Sequence, residues 1–163
     1  TSHVFSLVFS AFYFGLGISL YLWGEYSTAD YKKYIENTYE NPRIHNMNYE
    51  ESIDNIYPNI DVCIVPSNVK EAFGRVVVEA NSFGVPVIGS SRGGIPEIII
   101  NNKTGLLFDI EDQRDLLEKM LFFINNPDVI RSMAPHCLAH ARNFLYGKIT
   151  KQYLEVYKKI ICK

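Results

Sequence analysis

The sequence predicts an α/β fold in which a parallel sheet is covered by helices on both faces. Short apolar runs, Asp61–Val65 and Val85–Ile88, have the length and near-continuous hydrophobicity of strands buried on both sides. Between them lies Arg75–Phe83 and beyond them Asp112–Asn125, segments with apolar residues at helical spacing, and this alternation is that of a helix-covered parallel sheet. Proline and glycine punctuate the joins, at Pro66 and at Gly84-Val85-Pro86.

In chain order, Val4 to Trp23 carries no charged residue. By length it could span a bilayer, yet Gly15 and Gly17 interrupt it, and no basic flank supports a signal peptide. Hydropathy alone leaves its structure open. Tyr31–Tyr39 reads as a helix with Tyr31, Tyr34, Ile35 and Thr38 along one face, and Pro42 bars its continuation. Arg43–His45 is a short strand and Glu50–Tyr57 a short helix. After the strand Asp61–Val65 comes the loop Asn68–Phe73 and a helix starting near Gly74, with Val76, Val77, Ala80 and Phe83 inward. Ile95–Ile100 is a short helix entered through Gly93-Gly94, and Thr104–Phe108 a turn and strand. Asp112–Asn125 presents Leu116, Leu117, Met120 and Phe123 to the core; Asp128–Phe144 and Thr150–Ile161 are further helices. Ligands of such sheets sit beyond the carboxyl ends of the strands. The loops after Trp23, His45, Val65 and Ile88 are therefore expected on one rim, with Gly24, Met47, Glu71 and Gly93 on it.

Composition narrows the function. The 163 residues can bury the core of one domain. With a net charge of −2 nothing is basic enough to suggest a nucleic-acid surface, and no nucleic-acid partner is expected. Cys63, Cys137 and Cys162 are odd in number, form no CxxC pair and read as reduced thiols of a cytosolic protein.

The stretch Val65–Glu97 carries the chemistry. Glu71 and Glu79 have seven residues between them, with Phe73-Gly74 intervening; Ala80, then Gly84, Pro86, Val87 and Ile88, then Gly93, Gly94 and Glu97 follow. This segment resembles the donor-binding domain of retaining, nucleotide-sugar-dependent glycosyltransferases of family 4, which have the GT-B fold. Their signature is a Glu-x7-Glu pair around F-G, then G-x-P-V-I and G-G-x-x-E. The likeness covers about thirty consecutive positions closely, and from about Ile18 to the chain end more weakly.

The resemblance implies a Rossmann-like domain and a hexosyltransferase acting with retention on a glycan or lipid-linked acceptor. Glu79 would accept hydrogen bonds from the ribose diol of the donor. Backbone N–H groups of Gly74, Arg75 and Val76 would face its diphosphate, as a helix N-terminus favours. Glu71 would approach the sugar hydroxyls, beside Phe73, and the base would lie near Asn46, Met47 and Asn48. No metal or other cofactor is expected. Ile18–Trp23 with Gly24-Glu25 resembles the family's strand and phosphate-side loop, which makes Val4–Phe14 the preceding helix. The family also places an arginine and a lysine on the diphosphate from the start of this domain, and no candidate precedes Lys32. The expectation is a donor half, N-terminally truncated and without its acceptor domain, inactive alone. It is expected in the cytoplasm, at the inner membrane face if peripherally associated.

Plainer readings stand beside these. Glu79 and Arg75 can be solvated helix residues, Glu71 and Glu97 helix-start charges, and the glycines turn formers. His136 and His140 have metal-ligand spacing without an evident third ligand. The glutamates could form a hydrolase acid/base pair, although a glycine-started helix argues for a diphosphate instead. A nucleotide-sugar isomerase of the same fold would act on the same donor class. A non-catalytic or membrane-associated subunit would bind that donor without turnover.

Overall fold

The computed structural model describes residues 7–10, 19–22, 41–47, 50–68 and 72–161. Among these residues one sheet has six strands: β1 (Leu7–Ser10), β2 (Ser19–Leu22), β3 (Ile44–Asn46), β4 (Val62–Val65), β5 (Val87–Ser90) and β6 (Gly105–Phe108). Their order is β3-β2-β1-β4-β5-β6. β2 runs parallel to β3, and β4, β5 and β6 run parallel to one another. β1 lies antiparallel between β2 and β4, so every strand but β1 points the same way. The carboxyl ends of these parallel strands share one rim, with Met47 just after β3 and Gly93 after β5.

The α-helices among the described residues are α1 (Arg75–Ser82), α2 (Ile95–Ile98), α3 (Gln113–Asn125), α4 (Pro127–Ala141) and α5 (Tyr146–Ile161). Every residue of β4 and β5 is buried, which explains the apolar runs Val62–Val65 and Val87–Ile88. Alternation sorts them onto two faces. Cys63, Val65 and Val87 pack with Val77, Ala80, Ile95 and Ile98. Val62, Ile64 and Ile88 pack with Phe108, Phe123, Met133 and Cys137. Each such large side chain contributes about 1.5–3 kcal/mol on burial. The α/β class with helices on both faces is thereby realised.

Several expectations are corrected. The helix expected over Val4–Phe14 is replaced at Leu7–Ser10 by β1. A run with no charged residue has no strongly polar face to set a helical phase, and Leu-Val-Phe suits a strand flanked on both sides. Glu50–Tyr57 forms no α-helix; two 3-10 turns, Ile53–Asn55 and Tyr57–Asn59, take its place. Glu50 accepts from the Ser52 N–H (3.0 Å) and Asn55 Nδ2 (3.1 Å), a local alternative to helix. Leu117 is 52% exposed, because the inward stripe of α3 runs through Leu116, Met120 and Phe123. The last helix starts at Tyr146 rather than Thr150. The expected helix Tyr31–Tyr39 lies outside the described residues.

The final helix stands apart from the core. α5 buries none of its residues, and Tyr146, Tyr153, Leu154, Val156, Tyr157, Ile160 and Ile161 are each more than half exposed. Among the described residues no helix is long and apolar enough to cross a membrane.

Candidate functional site

The site grows from one glycine. Gly74 caps α1 with φ 74° and ψ 53°, a left-handed conformation that side chains resist. It is buried, and a Cβ there would meet Ile95 Cγ1 at 3.3 Å. This bend turns the chain from the loop after β4 into α1. The first intrahelical bond runs from the Val77 N–H to the Gly74 carbonyl (3.0 Å). The N–H groups before Val77, those of Arg75 and Val76 included, thus belong to the helix start that no intrahelical carbonyl serves.

A second glycine holds the loop in place. A Cβ on Gly94 would lie 2.7 Å from the Ala72 carbonyl oxygen and 3.3 Å from Phe73 Cα, so the loops after β4 and β5 touch backbone to backbone. Gly93 beside it has φ 63°. Side chains complete the tie. Arg92 Nη1 donates to the Asn68 carbonyl (3.0 Å) and to Asn68 Oδ1 (2.8 Å), while Nη2 pairs with Glu111 beyond β6. Ser90 Oγ donates to the buried Ser67 carbonyl at 2.9 Å. Three successive rim loops are therefore cross-linked.

Glu79 stands one turn into α1, its side chain 25% exposed. Its Oε1 accepts from Arg75 Nη2 at 3.2 Å, and its Oε2 from Tyr57 Oη at 3.4 Å. Arg75 is 83% exposed, so this i,i+4 pair is a weak surface contact. Tyr57 is 4% exposed, its ring stacked on Phe83 at 5.5 Å. Burial, then the charges of Cys63 and Glu79, holds the Tyr57 hydroxyl well above the usual phenol range. Burial, with Glu79 adding, pushes the Cys63 thiol up to about 12. Both groups stay protonated at neutral pH, which keeps Tyr57 a donor towards Glu79.

Of the residues singled out from sequence, Phe73, Gly74, Arg75, Val76 and Glu79 come together at the start of α1. Phe73 is half exposed and meets Phe144 edge-on at 5.8 Å, lining a cleft of about 600 Å³ with Tyr146, Ile149 and Tyr153. Met47 extends the β2–β3 ladder through its N–H to the Leu22 carbonyl (2.9 Å). Glu71, Gly24 and Asn48 lie outside the described residues. Glu97 is exposed in the first turn of α2. The histidine pair is dissolved: His140 Nε2 lies 2.8 Å from the Ile98 carbonyl, and His136 is exposed. Among the described residues no three His, Cys, Asp or Glu side chains are grouped to hold a metal.

Sequence reasoning missed Tyr57, Arg92 and Asn81. Arg92 had a signal, its place just before the glycine pair in a rim loop. Asn81 is fully buried and donates through Nδ2 to the carbonyls of Val85 (3.0 Å) and Thr104 (3.3 Å). It fastens the end of α1 to the entry of β6, and its position reads as one more polar helix residue in sequence.

A sheet whose carboxyl rim carries a glycine-capped helix start and a half-buried carboxylate defines a Rossmann-like domain of the GT-B type. The chain belongs to the glycosyl transferases group 1 family, whose model matches residues 17–140. It is 30% identical over 110 residues to a D-inositol 3-phosphate glycosyltransferase of Corynebacterium urealyticum, spanning 68% of this chain and 26% of that protein. A glycosyltransferase structure from Rickettsia africae superposes with a TM-score of 0.76 at 26% identity, covering 86% of this chain and 39% of that one. The Anabaena protein Alr3699/HepE, solved in complex with UDP-glucose, has the same fold at 24% identity and a TM-score of 0.71, over 82% of this chain and 38% of that one. The chain thus spans about a quarter of the curated relative and two fifths of the solved ones.

Proposed function

We propose that this chain forms the donor-binding half of a retaining glycosyltransferase. The enzyme moves a hexosyl group from a nucleoside-diphosphate sugar to a glycan or lipid-linked acceptor. The observation that carries the reading is the juxtaposition of the unserved helix start at Gly74 with the Glu79 carboxylate on the same helix. An anion suits the first, and a vicinal diol suits the second.

In this reading the diphosphate lies over the N–H groups of Gly74, Arg75 and Val76, and Glu79 accepts from the ribose hydroxyls. Glu71, beside Phe73, orients the sugar. The base lies along Met47, and Gly24 lets the chain approach the phosphates. Negative charge gathers on the leaving nucleoside diphosphate as the glycosidic bond breaks, and oriented N–H dipoles stabilise it there. No metal cofactor enters this scheme, and the acceptor is held by another part of the protein.

Ligand-observed NMR with UDP, GDP and ADP tests the site. Saturable binding of one of them, lost in Glu79→Ala with the fold retained, is the expected result. Failure of all three to bind would overturn the reading.

A further inference from the structure

We infer that Tyr57 is a positioning residue that sets the orientation of the Glu79 carboxylate and thereby the preference of the site for ribose over deoxyribose. The inference rests on the reading of Glu79 as the acceptor for the ribose hydroxyls. A glutamate on a helix surface rotates about three bonds and rarely holds one orientation. Glu79 differs in having one fixed neighbour and one loose one. The fixed neighbour is Tyr57, buried and clamped by its stack on Phe83. Arg75, the loose one, extends into solvent.

The Oη–Oε2 separation of 3.4 Å is long for an O–H···O bond. Such a contact directs the carboxylate more than it binds it, and bonds of this kind shorten when a ligand completes the site. Each carboxylate oxygen has two acceptor directions. Tyr57 occupies one on Oε2 and Arg75 one on Oε1, and the other two can meet two adjacent hydroxyls. Tyr57 belongs to the 3-10 turn before β4, so its contact with α1 joins two elements that reach the site separately.

The test compares wild type, Glu79→Gln, Tyr57→Phe and the double variant. Each is titrated with UDP, GDP and ADP and with their deoxyribose counterparts, and melted to confirm folding. Glu79→Gln should bring the ribose preference of the best nucleotide close to unity. Tyr57→Phe should cut that preference about three- to tenfold, the effect of one lost hydrogen bond. It should leave affinity for the deoxyribose form within about twofold, because one bond alone is removed. The double variant should match Glu79→Gln alone. Equal weakening of both forms by Tyr57→Phe, or an unchanged preference, overturns the positioning role while leaving the donor site standing. Should Tyr57→Phe lose its cooperative melt, the residue is structural and the inference fails. An unchanged preference in Glu79→Gln removes the premise as well.

Discussion

Replacing Gly94 by alanine tests whether the rim is held by backbone contact. Its φ of −81° and ψ of −10° suit alanine, so no conformational strain arises. The whole penalty is steric. The new Cβ would sit 2.7 Å from the Ala72 carbonyl oxygen, 3.1 Å from its carbon and 3.3 Å from Phe73 Cα. All three are inside an ordinary separation of about 3.5 Å. Backbone cannot rotate away as a side-chain tip can, so the loop must shift. Overpacking of this kind costs about 1–3 kcal/mol, against about 0.4–1 kcal/mol regained from a stiffer unfolded chain. The net loss, about 1–2 kcal/mol, lowers the melting midpoint by about 2–8 °C for a chain of this size. The shifted loop leads into Gly74, so nucleotide affinity should also fall, by about tenfold if about 1.4 kcal/mol of contact is lost. Circular dichroism melts and the same NMR titration read both effects. Gly147→Ala provides the opposite sign, since a Cβ there meets nothing within 4 Å. It should be neutral or gain up to about 1 kcal/mol from helix propensity. Wild-type melting and wild-type affinity in Gly94→Ala would refute the argument for a rigid, glycine-dependent rim.

Other outcomes follow from buried polar groups. Asn81→Ala should lower stability by about 2–4 kcal/mol in urea unfolding, because the Val85 and Thr104 carbonyls lose their shared donor and a cavity opens. Burial raises the Asp61 carboxyl, with Arg131 opposing only partly. An acid raised in the folded state costs stability as pH climbs above its unfolded value of about 3.9, so Asp61→Asn should be more stable than wild type near neutrality, a gain that vanishes below that value. Burial likewise pushes the Cys63 and Cys137 thiols up to about 12. In a Cys162→Ser background neither should react with a disulfide reagent until the protein unfolds, and stability should fall as pH rises past about 8.5.

The legible parts of the fold were those where geometry admits few residues. Asp61–Val65 and Val85–Ile88 read as strands because both faces of β4 and β5, Val62–Val65 and Val87–Ser90, are covered. Gly74 read as a helix start, and its left-handed backbone is the physical reason. Val4–Phe14 misled because an apolar run carries no phase, and Leu117 because a helical stripe can be drawn one residue too wide. The candidate site was proposed from a signature of spacing and glycines. Its supporting contacts were not legible there. Tyr57 and Glu79 are 22 residues apart, and nothing in either local pattern says that they meet. Asn68, Arg92 and Glu111 join three loops only once three strands are in register.

The bare face of α5 sets how long that helix lasts. An isolated helix of its length, 16 residues, is marginal in water, and packing normally supplies what propensity lacks. With only Ile149 and Thr150 half covered, the sixteen-residue span must open and close largely on its own. Its amides should therefore exchange with deuterium almost as fast as those of a free peptide, while those of α1, closed over Val77 and Ala80, persist. Anything that covers the face would slow the exchange there first, so the helix is a natural reporter of its own occupancy.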